Sequence, residues 1–410
     1  MERRLIAAGL GVLVIGAPAQ SHALEVEEPI QNSMTGVGID LTALVGSEDL
    51  VDTRVILESK ANVLDSSGCI NQNVDTSGIV DWYAEPVLAA HAPFASGESM
   101  GINMAHAGTT IAALSQSRVA IFELNEQNLP EFKAFTATNP PSFFRQVAVS
   151  PDGAEIAISD VNGTIEFYRR SPTSGWGSTP AQVLNSDGTD LTGRSLTYSS
   201  DGAALYVEIQ GTSLSVKSFQ RNTAGDWEAA NVSFPAIPTK TLNRSLAWTA
   251  DRLLVSGDLT VNAYRRTPNG FELSQSLTFI AAPPEQLNVS PSGFSVRIFP
   301  FIQFYSSIQG SLFFPTFTQT DLVDVASTTA GFAGLTRALP GICPRVRFIN
   351  QSNVSLGSYS VPNSINTSAR SLVSGHWGLM LSKISQNGTG ELYVVAQKRI
   401  FGGSLQGGFE

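Results

Sequence analysis

Arginine and acidic residues recur as pairs in the middle of this sequence. Each pair has an arginine at the start of one apolar run and an acid at the end of the next run. A guanidinium and a carboxylate form an ion pair, whereas an arginine without an acid can bind an anion, and clustered carboxylates can bind a divalent metal. The pairing of these residues therefore decides between three kinds of chemistry. The pairs are Arg145 with Asp160, Arg194 with Glu208, and Arg244 with Asp258.

The pairs belong to a sequence repeat. RQVAVSPDGAEIAISD, from residue 145, is followed by RSLTYSSDGAALYVE from residue 194 and by RSLAWTADRLLVSGD from residue 244. Each copy has alternating apolar residues on both sides of a turn sequence, so it predicts a two-stranded hairpin. Three further copies begin at residues 100, 285 and 370.

A third strand follows each hairpin, and an aromatic residue after a polar turn indicates a fourth strand. Four strands that recur about every 40 to 50 residues are typical of a β-propeller blade. A degenerate copy is expected between residues 326 and 363, which makes seven blades. Aromatic residues are predicted to face each other on the third and fourth strands as Tyr168 with Trp176, Phe219 with Trp227, and Tyr264 with Phe271.

The last copy lacks an outer strand of its own. It ends after the third strand, ELYVVAQKR, and the glycine-rich residues 401–410 follow as a tail. A sheet edge left open in this way would be exposed to pairing with other chains. We therefore expect DWYAEPVLAAH, residues 81–91, to supply the missing strand and to close the ring. The propeller then spans residues 81–400, and residues 24–80 form an extension that caps one face or adds an eighth blade.

The repeats resemble those of the YVTN and WD-repeat propeller superfamily over residues 81–400. The tryptophan-aspartate pair that ends the third strand of WD repeats does not occur at the corresponding positions, and neither does an aspartate-rich calcium loop. Lactonases that share the ring are similar in architecture alone. The resemblance therefore implies an all-β, seven-bladed β-propeller of four-stranded blades, and it implies no particular activity.

The position of the turn predicts the register of each hairpin. In the first pair it places Arg145 opposite Asp160, and the other two pairs come within one residue of facing each other. We expect a ring of ion pairs inside the blades, near the channel mouth, which fixes hairpin register. The alternative is that Arg145, Arg194 and Arg244 line an anion-binding mouth.

Two copies depart from this pattern. The fifth copy inverts the charges, with Glu285 on the first strand and Arg297 on the second. In the seventh copy Arg370 has the arginine position, but Lys383 and neighbouring serines occur where an acid would be needed. An arginine without an acid can bind a ligand carboxylate or phosphate, so Arg370 and Lys383 are candidate contacts for a polar ligand.

Basic residues also end several third strands, on the rim that carries the Asp-Gly turns. Solvated hairpin loops explain them, and so does salt-sensitive binding of an envelope polymer or an acidic protein partner. These residues are Arg169, Arg170, Arg221, Arg265, Arg266, Lys398 and Arg399.

The start of the chain resembles an export signal. Residues 1–23 contain two arginines, an apolar run and small residues before the expected cleavage site. The apolar run is too short to span a membrane, so we expect a secreted or periplasmic protein without a membrane span. The two cysteines of the chain, Cys69 and Cys343, are expected to form a disulfide in that oxidising compartment.

Composition limits the kinds of partner that we expect for this protein. The formal net charge of −10 argues against nucleic acid, because phosphate binding needs a basic surface. The sequence favours a monomeric, non-catalytic binding protein without a cofactor, which contacts a protein, a peptide or a surface glycan at the loops of one face or at the channel mouth. One alternative is a hydrolase or lactonase-type enzyme with a divalent metal held by Asp160, Glu208 and Asp258. The other is a structural component of an envelope assembly.

Overall fold

The described part of the chain is built from β-strands. The computed structural model describes residues 62–64, 70–72, 86–92, 103–115, 118–136, 144–160, 163–185, 195–209, 215–232, 234–235, 246–249, 252–257, 259–279, 284, 286–290, 293–298, 301–308, 312–320, 322–328, 331–336, 344–350, 355–361, 369–375, 378–384 and 390–396. These residues form seven antiparallel blades arranged as a propeller, which confirms the predicted fold class. Within these ranges no helix is long and apolar enough to cross a membrane.

Three strands precede the first blade in sequence. β1 (Asn62–Leu64) and β2 (Ile70–Gln72) form a two-stranded antiparallel sheet of their own. They lie in the segment expected to cap a face or add a blade, and the rest of that segment lies outside the described residues. β3 (Val87–Ala92) is the outer strand of the last blade.

The first four blades follow in chain order. Blade 1 contains β4 (Asn103–Ala107), β5 (Thr110–Leu114), β6 (Val119–Leu124) and β7 (Pro130–Phe135). Blade 2 contains β8 (Phe144–Val149), β9 (Glu155–Asp160), β10 (Ile165–Ser171) and an outer strand in two pieces, β11 (Gly175–Trp176) and β12 (Gln182–Leu184). Blade 3 contains β13 (Leu196–Tyr198), β14 (Ala204–Ile209), β15 (Ser215–Arg221) and β16 (Trp227–Ala229). Blade 4 contains β17 (Leu246–Trp248), β18 (Arg252–Ser256), β19 (Thr260–Thr267) and β20 (Gly270–Thr278).

The last three blades include the degenerate copy and the closure. Blade 5 contains β21 (Gln286–Ser290), β22 (Gly293–Ile298), β23 (Phe301–Ile308) and β24 (Leu312–Thr320). Blade 6, the degenerate copy, contains β25 (Leu322–Thr328), β26 (Gly331–Thr336), β27 (Arg345–Asn350) and β28 (Ser355–Ser360). Blade 7 contains β29 (Ala369–Gly375), β30 (Gly378–Ile384) and β31 (Gly390–Ala396), and β3 pairs with β31. The predicted closure by the segment before the first blade is therefore confirmed.

The core lies in layers between neighbouring blades. First strands of adjacent blades pack against each other around the axis. The second strands are buried on both faces because each sheet is covered by a blade on either side, and every residue of β9 is buried. One such layer contains Leu114 and Ile121 of blade 1 with Val147 and Ile158 of blade 2.

The turn between β8 and β9 brings blades 1 and 2 close together. Gly153 has a positive φ of 72°, and a Cβ there would lie 2.9 Å from the carbonyl oxygen of Ala107. The Thr110 hydroxyl donates to the Gly153 carbonyl at 2.7 Å. Asp152 accepts from the Ser150 hydroxyl at 2.6 Å, and that hydrogen bond lowers the pKa of its carboxyl. The glycine and the aspartate thus have the turn-forming roles expected of an Asp-Gly turn.

The predicted cross-strand ion pairs do not match the register of the hairpins. Asp160 pairs with Phe144, and the register shifts before Gln146, so Arg145 occupies a β-bulge and is not the direct partner of Asp160. The shift recurs in blade 7, where Lys383 pairs with Ala369 and the bulge falls at Arg370. The bulge explains the error, because it adds one residue to the first strand. The side chains of Arg145, Arg370 and Lys383 lie outside the described part, so their ion pairs and ligand contacts stay predictions.

Turn length accounts for the register error in blade 4. In blade 4 the N–H of Thr249 donates to the carbonyl of Arg252, so the turn is two residues shorter than the one between Ser150 and Glu155. Leu246 consequently pairs with Val255, which is not the register that the turn position predicted. Arg244 and Asp258 lie outside the described residues.

Blade 3 has the register that its turn position predicted, in which Arg194 and Glu208 miss each other by one residue, and in blade 5 Glu285 and Arg297 also miss each other by one residue. In blade 3 the N–H of Glu208 donates to the carbonyl of Ser195, the neighbour of Arg194. In blade 5 Arg297 pairs with Gln286, the neighbour of Glu285. Arg194 and Glu285 themselves lie outside the described residues.

A polar girdle joins the first strands close to the axis. The residue after the bulge position is polar in successive blades, and its side chain reaches the next blade. Gln146 accepts from the N–H of Leu196 at 3.2 Å, and Ser195 accepts from the N–H of Leu246 at 2.5 Å. Side chains and backbone groups of three blades meet at Asp324, which accepts from Gln286, Val325, Ser371 and Leu372.

Candidate functional site on the glycine rim

One end of the ring carries the turns between first and second strands and between third and fourth strands. We call this end the glycine rim, because Gly108, Gly153 and Gly202 adopt positive φ angles in its turns. Antiparallel strand order places the ends of the third strands on the same rim, so the predicted basic residues of blades 2, 3 and 4 lie there.

Glu155 joins blades 2 and 3 at this rim. Its side chain is 2% exposed, and its oxygens accept hydrogen bonds from both blades. The indole N–H of Trp227 donates at 2.7 Å, and the hydroxyl of Tyr198 and the Nη2 of Arg221 each donate at 3.0 Å. Arg169, on the blade of Glu155 itself, donates from Nε at 2.7 Å. A buried carboxylate with four such donors holds two blades in one relative position.

The environment of Tyr198 keeps its hydroxyl protonated. Burial raises the pKa of Tyr198 well above its usual value, and the charge of Glu155 raises it further. The tyrosine hydroxyl therefore remains a donor throughout the physiological range. The guanidinium of Arg221 also lies over the ring of Trp227, 4.5 Å from its centroid.

Arg169 extends this network to the next turn. Its Nη1 pairs with Asp226 at 3.0 Å, and its Nη2 donates to the carbonyl of Gly225 at 2.8 Å. Burial alone would lower the pKa of Arg169, but the hydrogen bonds to Glu155 and Asp226 outweigh it and raise the pKa. Two of the predicted basic residues, Arg169 and Arg221, are thus used to hold the ring together.

Blades 1 and 2 are joined in a similar way by Glu123. It accepts from the indole N–H of Trp176 at 2.8 Å and from Nε of Arg170 at 2.7 Å. Glu123 pairs with Thr110 across its ladder, as Arg169 pairs with Glu155 in blade 2. The two ladder pairs are therefore equivalent, but the acid is on the third strand in blade 1 and on the second strand in blade 2.

The junction of blades 3 and 4 differs from these two. The corresponding ladder pair of blade 3 is Ala204 with Gln220, so neither position holds an acid. Arg266 of blade 4 occupies the position of Arg170 and Arg221. It is exposed, and within the described residues no ion pair joins it.

Aromatic side chains fill the space beside Arg266. Tyr206 stacks on Trp248, with ring centroids 5.2 Å apart and planes at 3°. Phe271 meets the edge of Tyr206 at 5.4 Å, and Phe234 packs on Phe271 at 4.6 Å. Trp248 and Phe234 are partly exposed, whereas Tyr206 is 1% exposed.

Two polar groups of this cluster find no acceptor in the described part of the chain. The Nε1 atom of Trp248 is buried without a hydrogen-bond partner. No described residue bonds the hydroxyl of Tyr206. Burial raises the pKa of that hydroxyl, the charge of Arg266 lowers it and the charge of Asp201 raises it. Arg266 lies opposite Phe271, whose ring meets that of Tyr206.

The predicted aromatic pairs on third and fourth strands have a different register. Arg170 lies opposite Trp176, Arg221 lies opposite Trp227, and Arg266 lies opposite Phe271. The predicted pairing of aromatic residues with each other is wrong. The arginines at the ends of the third strands are the cross-strand partners of the outer aromatic residues, which suits cation–π contact.

The other predicted site residues lie toward the opposite rim or outside the described part. Asp160 accepts from the N–H of Thr164 at 2.8 Å and so stabilises the turn between β9 and β10. Glu208 is 2% exposed, and Arg297 donates to the carbonyl of Val323 on the next blade at 3.0 Å. No group of three metal-ligating side chains occurs among the described residues. Cys69 and Cys343 lie outside those residues, so the disulfide stays a prediction.

Sequence reasoning missed Glu155, Glu123 and Asp324. Each was an unremarked acid within a strand, and its partners come from other blades. The partner indole of Glu155 is 72 residues away in sequence. A usable signal was the recurrence of an arginine and a tryptophan around the third turn of blades 2 and 3, since a buried indole N–H needs an acceptor.

Comparisons with known proteins support the architecture. No protein family model and no curated protein matches the sequence. Among solved structures 1431 chains match. One is the β-propeller domain of Cps50 (Swd1) from Myceliophteria thermophila, with 10% sequence identity and a TM-score of 0.53 over 73% of this chain and 100% of that chain. The likeness confirms the architectural resemblance to propeller repeats, and it shows the fold alone.

Proposed function

We propose that this chain is an exported, monomeric and non-catalytic β-propeller that binds an acidic segment of a protein partner. The contact surface is the part of the glycine rim that blade 4 carries. Arg266 is exposed there and lies opposite Phe271, whose ring packs against the partly exposed rings of Trp248 and Phe234. This juxtaposition carries the proposal, because arginine and aromatic residues dominate the energetics of protein interfaces.

The rest of the rim supports this assignment by contrast. Arg170 and Arg221 occupy the same position in blades 2 and 3, and each donates to an acid of the preceding blade. The rim therefore uses those arginines internally, while Arg266 remains directed to the surface of blade 4. The networks on both earlier junctions also hold the rim rigid, so a partner would meet a preorganised surface.

The negative net charge of the chain limits the attraction of an acidic partner to this basic patch. The chain has a formal net charge of −10, so a basic and aromatic patch is an exception on an acidic protein. Attraction of an acidic partner would be short-ranged and weakened by salt, since the Debye length is about 8 Å at physiological ionic strength.

Photo-crosslinking tests which rim binds. The photoreactive residue p-benzoylphenylalanine replaces Asn269, in the exposed turn between β19 and β20 on the glycine rim. In a matched control it replaces Leu259, which is 42% exposed on the opposite rim of the same blade. The probe is a biotinylated, amidated peptide of alternating glycine and glutamate, and the control peptide has glutamine in place of glutamate.

The proposal predicts crosslinking of the glutamate peptide from position 269 alone, with loss of signal as salt is raised. Equal crosslinking from both positions, or none with either peptide, contradicts the proposal. Metal analysis of the purified protein is a separate check, because stoichiometric calcium or zinc would favour the metal-dependent enzyme.

A further inference from the structure

Three neighbouring junctions on the glycine rim use one set of positions in two ways. We number each junction by the two blades that it joins. At junctions 1/2 and 2/3 an arginine and an indole of one blade donate to a glutamate of the blade before it. Junction 3/4 has the arginine, Arg266, but its acid positions hold Ala204 and Gln220. Among the described residues, two junctions therefore carry this arrangement and a third has the arginine without the carboxylate.

The donor groups at junction 3/4 match those that bind Glu155. Glu155 receives hydrogen bonds from an arginine, a tyrosine hydroxyl and an indole of the next blade. Junction 3/4 contains the same three groups, in Arg266, Tyr206 and Trp248, although the aromatic residues come from different strand positions. None of these three donors has an acceptor among the described residues. The buried indole N–H of Trp248 costs free energy without an acceptor, and the exposed guanidinium of Arg266 is accessible to a ligand oxygen.

We propose that junction 3/4 binds one side-chain carboxylate of a partner polypeptide, held by Arg266 with the hydroxyl of Tyr206 as second donor. This inference rests on the proposed function and specifies its ligand. The carboxylate meets the guanidinium of Arg266 as Glu155 meets that of Arg221 at the neighbouring junction. Trp248 and Phe234 supply the apolar surface on which the rest of the partner residue packs.

The chemistry of the neighbouring junctions favours a glutamate over other anions. Both occupied junctions bind a glutamate side chain, so the scaffold is already matched to that group in size and charge. Asp201 interacts electrostatically with Arg266 and with the hydroxyl of Tyr206, and its negative charge opposes a doubly charged phosphate more strongly than a carboxylate. Asp201 also disfavours the carboxylate itself, which gives a further test.

The experiment is a calorimetric titration of the full chain with an acetylated, amidated peptide of alternating glycine and glutamate. The glutamine form of the peptide is the ligand control. Arg266→Ala is the test variant, and Arg265→Ala is the matched variant, since it removes the same charge from the adjacent residue. Neighbouring residues of a strand point to opposite faces, and Arg265 lies opposite Glu272.

The proposal predicts that Arg266→Ala weakens binding at least tenfold and that Arg265→Ala weakens it less than about threefold. A charge-assisted hydrogen bond accounts for a change of this size. Tyr206→Phe, which keeps the ring, should weaken binding severalfold. Asp201→Asn keeps the acceptor for the Ser199 hydroxyl and the Ala203 N–H, and it should strengthen binding severalfold.

Ala204→Glu provides a variant with the opposite design. It places an acid at the position of Glu155, so Arg266 gains an internal partner and peptide binding is lost while the melting temperature does not fall. Full binding by a folded Ala204→Glu protein would overturn the inference.

Other outcomes separate this inference from the proposed function. Equal losses of affinity for Arg265→Ala and Arg266→Ala, with crosslinking still confined to position 269, would contradict a specific carboxylate site at Arg266. The proposed basic binding surface on the glycine rim would then still stand. Equal affinity for the glutamine and glutamate peptides would also contradict the carboxylate site. Tighter binding of glucuronic acid than of the glutamate peptide would assign the site to an acidic glycan and contradict a polypeptide ligand. If no peptide binds and none crosslinks, both proposals fail.

Discussion

Junction 2/3 and junction 3/4 lie on either side of blade 3, yet they solve the same packing problem differently. At junction 2/3 a buried glutamate collects donors from two blades, and the groups satisfy one another inside the protein. At junction 3/4 the acid is replaced by Ala204, and aromatic rings fill the space beneath an exposed arginine. The comparison shows how a repeat can keep its shape while one copy exchanges an internal contact for a potential external one.

The largest expected effect is the loss of Glu155. Glu155→Ala leaves the indole of Trp227, the hydroxyl of Tyr198 and two guanidinium groups without their acceptor. We expect a decrease in the free energy of unfolding of about 3 kcal/mol, toward the low end for a broken buried ion pair because the arginines are partly exposed. Urea unfolding measures it, and Glu155→Gln, which keeps the volume, should recover part of the loss. A change below about 0.5 kcal/mol would show that the junction does not depend on this carboxylate.

Asp324 is expected to have the next largest effect. Asp324→Ala removes an acceptor shared by blades 5, 6 and 7 and should cost about 2 kcal/mol, since three buried donors and one partly buried donor lose their partner while one desolvated charge is removed. Burial raises the pKa of this carboxyl above 3.8, against the hydrogen bonds that lower it. A raised pKa in the folded state contributes stability that is complete below about pH 4 and declines as pH rises through the folded pKa.

The cost of Asp324→Ala should therefore be larger at pH 4 than at pH 7. Unfolding curves of both proteins at the two pH values provide the measurement. If Asp324→Ala costs more free energy of unfolding at pH 7 than at pH 4, the folded protein stabilises the charged carboxylate. That result would contradict a raised pKa for Asp324.

Glu123→Ala should have a smaller effect than Glu155→Ala. Glu123 is 13% exposed and binds one arginine and one indole, so about 1 kcal/mol is expected. Thermal unfolding of both variants under the same conditions ranks them. If Glu123→Ala proves more damaging than Glu155→Ala, junction 1/2 and not junction 2/3 is the stronger link.

The smallest effect on stability belongs to Arg266→Ala. The guanidinium is exposed and joined by no described ion pair, so the free energy of unfolding should change by less than about 0.5 kcal/mol. Differential scanning calorimetry is sufficient to detect a larger change. A loss comparable to that of Glu155→Ala would show that Arg266 has an internal structural role, and it would remove the distinction between the two junctions.

Much of the fold could be predicted because it depends on periodicity. Alternating apolar residues around a recurring turn gave the hairpins, and their spacing gave the number of blades. The missing outer strand of the last blade, together with the segment at residues 81–91, led to the correct closure, and the strand that pairs there is β3. The register could not be predicted as well, because a bulge at Arg145 and a shorter turn at Thr249 each shift the ladder without a clear sequence signal.

The candidate site was less accessible to sequence reasoning. The basic residues at the ends of the third strands were recognised, but their partners were not. Whether Arg221 or Arg266 is paired depends on one residue of the preceding blade, which is Glu155 in one case and Ala204 in the other. Only the packing of blade against blade brings these positions together.

The indole signals of tryptophan offer the most direct test of the contrast between the two junctions. The chain contains five tryptophans, and the indoles of Trp176 and Trp227 are already bonded to glutamates inside the protein. In NMR spectra of the protein labelled with fluorotryptophan, assigned by single Trp→Phe variants, we predict that the alternating glycine and glutamate peptide shifts the Trp248 signal and leaves Trp176 and Trp227 unchanged. Shifts at Trp176 or Trp227 with none at Trp248, under conditions in which the peptide binds, would contradict the account.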